Sequence, residues 1–229
     1  MQYITPRWPA PPTIKSLTTI RSCWGAPDTS QAAERQRLAT LFSLPSDPAW
    51  LKQIHSNIAI PANPHHCDHE ADASYTDQLG RVCLVLTADC LPVLICNLQG
   101  TKVAAAHAGW RGLAKGIIEN TITAMNTDPN QLLIWLGPAI GPEKFEVGSD
   151  VYYAFIDQDR AYEHCFTSIS ADKWLANLYQ LATVRLNKLG IKKIYGGEYC
   201  THRQNNLFYS YRRDQGKTGR MASVIWIDR

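Results

Sequence analysis

The sequence predicts a single α/β-type domain with mixed sheets. Three observations carry that expectation. Short runs rich in Val, Ile and Leu alternate with helix-period stripes, Gly and Pro turns separate them, and neither an internal repeat nor a low-complexity linker divides the chain. With 45% of its 229 residues hydrophobic, the chain has ample apolar surface for one packed core.

After a Pro-rich opening, TIKSLTTIRS is β-branched enough to predict a strand. Asp28, Thr29 and Ser30 offer N-cap side chains for a helix through QAAERQRLATLFSL. AWLKQIHS reads as a strand ending at His55, and IPANPHHCDHEAD as a loop. ADASYT leads through a Gly80 turn into VCLVLTADCLPVLICN, which is too apolar for a half-exposed strand and implies cover on both faces. Pro92 cannot donate to a central ladder, so a break or bulge is expected beside Asp89 and Cys90.

TKVAAAHAGWRG reads as a strand ending at His107, its alanines small enough to admit a neighbouring layer closely. Gly109 to Gly112 make a strand-to-helix turn, and LAKGIIENTITAMN follows as one helix with Leu113, Ile117, Ile118, Ile122 and Met125 near one stripe. QLLIWLG is strand-like, GPAIGPEKF a rigid loop, and SDVYYAFI a segment opened by a Ser-Asp cap signal. ADKWLANLYQLATVRLNKLG reads as an amphipathic helix closed by Gly190. IKKIYGGEYC, LFYSYRR and RMASVIWI read as three final strands.

Composition excludes some functions. A net charge of +3 from 23 basic and 20 acidic residues, with no block of like charge, argues against a nucleic-acid partner. No window approaches the roughly 18 apolar residues of a membrane span, and MQYITPRWPAPPTIKS lacks a secretory apolar core. The expectation is a cytoplasmic protein without a membrane partner. Seven irregularly spaced cysteines fit a reduced compartment better than a disulfide framework.

His55, Cys90 and His107 each fall at the end of, or at a break in, an apolar strand-like segment, and strand ends on one sheet edge converge. Histidine nitrogen and cysteine sulfur are zinc's preferred ligands, and three of them leave a fourth position open, as in catalytic sites. With no CxxC or HExxH spacing, other readings stand beside this one. The histidines could be hydrogen-bonded core residues and the thiol inert, or Cys90 and His107 could form a nucleophilic dyad. The denser run His65-His66-Cys67-Asp68-His69 is the poorer metal candidate, because neighbours on a loop diverge in direction. Arg111, in the Gly109–Gly112 turn, is a candidate anion ligand. Arg212, Arg213 and Asp214 form a second cationic stretch, with Arg213 and Asp214 also readable as an ion pair.

Taken together, LKQIH, ADASYT, LTADCLPVLI, AAAHAGWRG, WLGPAIGP with FEVG, and FYSYRRD with TGRMAS resemble the YfiH-type family across residues 49–227. Its members are described as laccase-domain polyphenol oxidases, purine nucleoside phosphorylases and a peptidoglycan editing factor. The resemblance implies a layered α-β-β-α sandwich with two mixed sheets, one domain over residues 1–229, its N-terminal segment shortened where Thr18 and Thr19 run into IRSCWGAPDTSQAAERQ. It implies zinc held by His55, Cys90 and His107, with copper fitting the same donors. It also implies phosphorolysis of adenosine, inosine and 5′-methylthioadenosine, with adenosine deamination from the same pocket, by a monomer or homodimer.

In that chemistry Arg111, with Arg212, would hold phosphate. Deamination needs a proton carrier, for which Asp89 is the nominee, with orientation of a ligand histidine as its other reading. Alternative activities are editing of peptidoglycan precursors, copper-dependent polyphenol oxidation and Cys-His hydrolysis.

Overall fold

A computed structural model describes residues 3–26, 31–63 and 68–228. In chain order the first elements are β1 (Tyr3–Ile4), β2 (Ile14–Thr19), α1 (Gln31–Leu41), β3 (Leu51–Lys52), β4 (Ala59–Pro61), β5 (His69–Glu70), β6 (Ala73–Thr76), β7 (Cys83–Thr87) and β8 (Leu91–Asn97). There follow β9 (Val103–Ala108), α2 (Trp110–Lys115), α3 (Ile117–Met125), β10 (Leu132–Leu136), β11 (Glu146–Gly148) and α4 (Ser149–Ile156). The last are β12 (Phe166–Ser170), β13 (Lys173–Ala176), α5 (Leu178–Lys188), β14 (Ile194–Gly196) and β15 (Met221–Ile227). Asp28, Thr29 and Ser30, expected to cap α1, and His65, His66 and Cys67 lie outside the described residues.

Two sheets stack at the centre. The larger runs β14-β10-β8-β9-β6-β4, and is mixed because β14 and β4 join it in parallel. The smaller runs β1-β2-β15-β7 and is antiparallel throughout, where two mixed sheets were expected. Its neighbours come from distant parts of the chain, so strand direction was not visible in local pattern. Alternation along the larger sheet sends Val93, Ile95, Ala104, Ala106 and Ile134 toward α2, α3 and α5. Leu94, Cys96, Ala105 and Trp135 point the other way, into a core shared with the smaller sheet and Leu38 of α1. The layers are therefore α-β-β-α. All residues of β8 and β9 are buried, so the alanines of β9 have a packing cause: larger side chains would overfill both interfaces, typically at about 1–3 kcal/mol each.

The apolar run of residues 82–97 is two strands in two different sheets. β7 belongs to the smaller sheet and β8 to the larger, and Ala88-Asp89-Cys90 is the step between them, with Asp89 in the left-handed region at φ 84°. Other readings change similarly. The helix expected from Leu113 breaks into α2 and α3 at Gly116, whose φ of 87° no helix interior admits. The amphipathic segment from Ala171 begins as β13, and α5 starts only after Asn177, which accepts hydrogen bonds from the Tyr179 and Gln180 N–H groups. Gly148, rather than Ser149 or Asp150, is the N-cap of α4, and it makes no side-chain cap bond. AWLKQIHS forms a strand only over Leu51–Lys52, with a single parallel bridge from Ala49 to Cys83, and the loop read in IPANPHHCDHEAD includes the end of β4 and all of β5. LFYSYRR forms no strand: it is a turn-rich strap tied down by side chains.

Candidate metal centre and the cleft above it

The site is built around Asp72, a fully buried carboxylate just before β6. Its Oδ2 accepts the N–H groups of Ile54 and Ser56, at 3.2 and 2.6 Å, and the Ser56 hydroxyl at 2.6 Å. Its Oδ1 accepts the His55 N–H at 3.0 Å and lies 2.7 Å from His107 Nδ1. Consecutive N–H groups folded around one anion form a nest, and the nest holds His55 at φ 58°, in the left-handed region. This is why the strand predicted through His55 stops early: the carboxylate competes for the backbone donors that a ladder would use.

Cys90 and His107 arrive on the larger sheet. The β8–β9 register sets Pro92 opposite His107, and Cys90, two residues before Pro92, shares its parity. Space at the junction depends on Gly109, where a Cβ would lie 3.0 Å from Cys90 Sγ and 3.1 Å from His55 Cδ2. One ligand atom from each of His55, Cys90 and His107 lies within 4.8 Å of the others, and Cys90 Sγ is 3.9 Å from His55 Nε2.

The electrostatics separate Cys90 from three other buried thiols. Burial pushes Cys83, Cys96 and Cys165 up to about 12. Burial acts on Cys90 in the same direction, but the charge of His107 and hydrogen bonds from both imidazoles overcome it and bring the thiol down to about 6. For His107, burial opposes the charge, yet the Cys90 thiolate and Asp72 raise it to about 9. Asp72 is pushed up by burial and pulled down further by His107, Ser56 and its backbone donors, reaching about 2. A thiolate and two imidazoles are a donor set suited to a soft or borderline metal ion. With bonds of about 2.0–2.3 Å, a tetrahedral ion needs donors roughly 3.5 Å apart, close to the spacing present. The Asp72 contact occupies His107 Nδ1, so Nε2 faces the cluster.

Above the cluster opens a cleft of about 560 Å³, within the range of small-molecule sites. Trp110, Ile140, Phe145 and Tyr211 give it aromatic and apolar walls, and Arg111, Arg212 and Arg220 bring three guanidinium groups. Arg111 is exposed and lies 4.4 Å from the Trp110 ring centre. Arg212 donates to the Glu146 carbonyl at 2.8 Å. Asp89 also lines the cleft, but its carboxylate contacts neither histidine of the cluster within the hydrogen bonds described: it accepts from Thr201, Ser210 and Arg212. Arg213 and Asp214 form a part-buried ion pair at 2.8 Å, and Arg213 also donates to the carbonyls of Thr201 and Phe208. Gln53 pairs both ways with Leu86, extending the edge of β7 by one side-chain amide.

Sequence reasoning missed Asp72 and Arg220. Asp72 carried a signal, being an acidic residue flanked by alanines at the start of a buried strand. Arg220 carried none beyond its place in TGRMAS.

The family described as multi-copper polyphenol oxidoreductase laccase matches residues 23–228. The chain belongs to this family, here called YfiH-type. An Escherichia coli relative named purine nucleoside phosphorylase YfiH is 45% identical over 244 aligned residues, covering 99% of each chain. A Haemophilus influenzae relative named purine nucleoside phosphorylase is 43% identical over the whole of both chains. A Neisseria meningitidis crystal structure superposes with a TM-score of 0.93 at 41% identity, over the whole of both chains. The multi-copper description sits poorly with the YfiH-type chain, because among the described residues one His-Cys-His cluster is found and multi-copper chemistry needs several.

Proposed function

We propose that the protein is a zinc-dependent purine nucleoside phosphorylase acting on adenosine, inosine and 5′-methylthioadenosine. One observation carries the reading: the His55, Cys90, His107 cluster forms the floor of a cleft whose walls supply both aromatic surface and three arginines. A purine nucleoside needs the first and phosphate the second. The names of the E. coli and H. influenzae relatives support the same reaction class.

When bound, zinc supplies Lewis acidity at the position its three protein ligands leave open. The chain's own residues do the rest. Asp72 fixes the tautomer of His107 and the backbone of His55. Phe145, Trp110 and Tyr211 offer faces for the purine, and Arg111 and Arg212 hold phosphate against C1′. Because α2 has only six residues, the guanidinium of Arg111 rather than a helix dipole is the anion ligand there. In the reaction a phosphate oxygen bonds to C1′, the C1′–N9 bond breaks, and the proton of hydrogen phosphate ends on the departing base. The products are the free base and the sugar 1-phosphate, ribose 1-phosphate from adenosine or inosine and 5-methylthioribose 1-phosphate from 5′-methylthioadenosine.

A second reading, adenosine deamination from the same pocket, is favoured by the mixed nitrogen and sulfur donors, a combination also used by zinc deaminases. The two separate by product. Zinc-loaded protein with adenosine and phosphate is expected to release adenine and ribose 1-phosphate, and adenine release stops in phosphate-free buffer. Base released equally fast without phosphate defeats the phosphorylase reading, and inosine formed in either buffer reports the deaminase.

A further inference from the structure

Asp89 adjoins Cys90, and both its carboxylate oxygens are occupied. Oδ1 accepts the Thr201 hydroxyl at 2.5 Å, while Oδ2 accepts the Ser210 hydroxyl at 3.0 Å and the Arg212 N–H at 2.7 Å. Its carbonyl accepts the Ile140 N–H at 2.9 Å. The residue is 7% exposed and held at a positive φ that non-glycine residues seldom adopt. Such a conformation persists only where the surroundings over-determine it, and here four hydrogen bonds from two distant segments do so.

The strap those donors belong to, Thr201–Arg213, makes no strand pairing. Arg213 ties it to itself through the carbonyls of Thr201, His202 and Phe208. Asp89 ties it to the cleft floor. From that anchor the Arg212 side chain crosses to the Glu146 carbonyl and lies 5.5 Å from the Phe145 ring centre. One guanidinium donor is spent on that carbonyl among the described residues, and five are available.

We infer that Asp89 is a positioning residue that locks the Ser210–Arg212 strap to the floor beside Cys90, holding the Arg212 guanidinium over the cleft as the clamp for an inorganic phosphate co-substrate. The inference rests on the phosphate role proposed above for Arg212. It gives Asp89 a different task from carrying a proton, since both oxygens already accept hydrogen bonds from the strap. It also predicts which replacement works. An asparagine can put its oxygen where Oδ2 lies, keeping the Arg212 and Ser210 bonds, and turn its amide toward the Thr201 hydroxyl, which can accept as well as donate.

The test uses the zinc-loaded full chain, steady-state phosphorolysis of adenosine, and calorimetric titration with inorganic phosphate. Asp89→Ala is expected to raise KM for phosphate by about ten-fold or more, the usual scale for losing a hydrogen bond to a charged group, with zinc content and KM for adenosine unchanged. Arg212→Ala gives the same signature, and the double variant is no worse than either single one, because both remove the same clamp. Asp89→Asn recovers most of the loss.

If Asp89→Ala fails to fold, Thr201→Val removes one of the three carboxylate donors and is expected to shift KM for phosphate in the same direction. Loss of kcat in Asp89→Asn with phosphate binding intact overturns the positioning role in favour of proton transfer. Wild-type phosphate affinity in Asp89→Ala overturns it outright, as do additive losses in the double variant. A wild-type protein that binds phosphate yet releases no base defeats the phosphorylase reading alone, and the calorimetry still decides the role of Asp89.

Discussion

Replacing Asp72 by asparagine changes one atom and should disable the metal centre. The carboxylate accepts from five donors, those of Ile54, His55, Ser56 twice, and His107. An asparagine keeps one acceptor oxygen, best spent on the three donors now served by Oδ2. Its amide then faces the His55 N–H and His107 Nδ1. His107 can adapt by accepting at Nδ1, which moves its proton to Nε2 and removes the lone pair that faces Cys90 and His55. The His55 N–H is left without an acceptor, at about 1–3 kcal/mol.

The charge itself matters too. A carboxyl lowered from 3.8 to about 2 stabilises the fold by roughly 2 kcal/mol at neutral pH. These contributions overlap, so the expectation is about 2–3 kcal/mol lower stability and zinc binding weakened roughly 10- to 100-fold. Zinc affinity is read by competition with a chromophoric chelator, and stability by urea unfolding of the metal-free protein. Because the folded pKa is depressed, the stabilisation is full above about 4 and disappears as pH falls toward about 2, so wild type and variant converge there. Wild-type zinc affinity and an unchanged urea midpoint in Asp72→Asn would refute the reasoning.

Three further outcomes follow from the same geometry. In metal-free protein, ultraviolet absorbance should register one thiolate titrating near pH 6, and Cys90→Ala should lose both that signal and stoichiometric zinc. The stabilisation from Cys90 is full above the unfolded thiol value of 9.0 and fades as pH falls to about 6, while that from His107 is full below 6.5 and fades as pH rises to about 9. The two offset each other across this range, so the pair should leave the stability of the metal-free fold nearly flat there; a thiolate signal first appearing above pH 8 would contradict the lowered thiol value. Gly109→Ala places a methyl 3.0 Å from Cys90 Sγ and should weaken zinc binding about ten-fold or more, while Gly190→Ala, whose Cβ meets nothing within 4 Å, should leave zinc affinity unchanged. Arg185, 6% exposed, donates to Glu119, Gln158 and the Ala114 carbonyl and lies against the Phe155 and Tyr162 rings; Arg185→Ala should cost about 2–3 kcal/mol, chiefly the lost ring packing and hydrogen bonds because the partly exposed Glu119 carboxylate can be re-solvated, as measured by denaturant unfolding.

Much of this was legible in the chain itself. A β-branched run marked β2, and continuous apolar or small-residue runs marked β9, β10 and β15, since a strand buried on both faces needs little beyond its own composition to be recognised. The positions of His55, Cys90 and His107 at strand breaks, with the motifs around them, singled out the residues that the fold brings within 4.8 Å. Local pattern failed where a side chain, not a propensity, ended an element. Asp72 stops the strand before His55, Gly116 splits a helix whose stripe runs on unbroken, and Asn177 starts α5 later than its periodicity suggests.

The sequence by itself determined the alternation of strands and helices and the chemical identity of the donors, because periodicity and residue type are local properties. Only the tertiary structure decided that residues 82–97 divide between two sheets, that Asp72 rather than Asp89 orients His107, and that Asp89 holds Arg212. The bonds responsible join residues 35 and 123 positions apart. Such contacts exist only once the sheets have stacked, because each donor is tied to its acceptor by a buried carboxylate whose desolvation nothing local could repay.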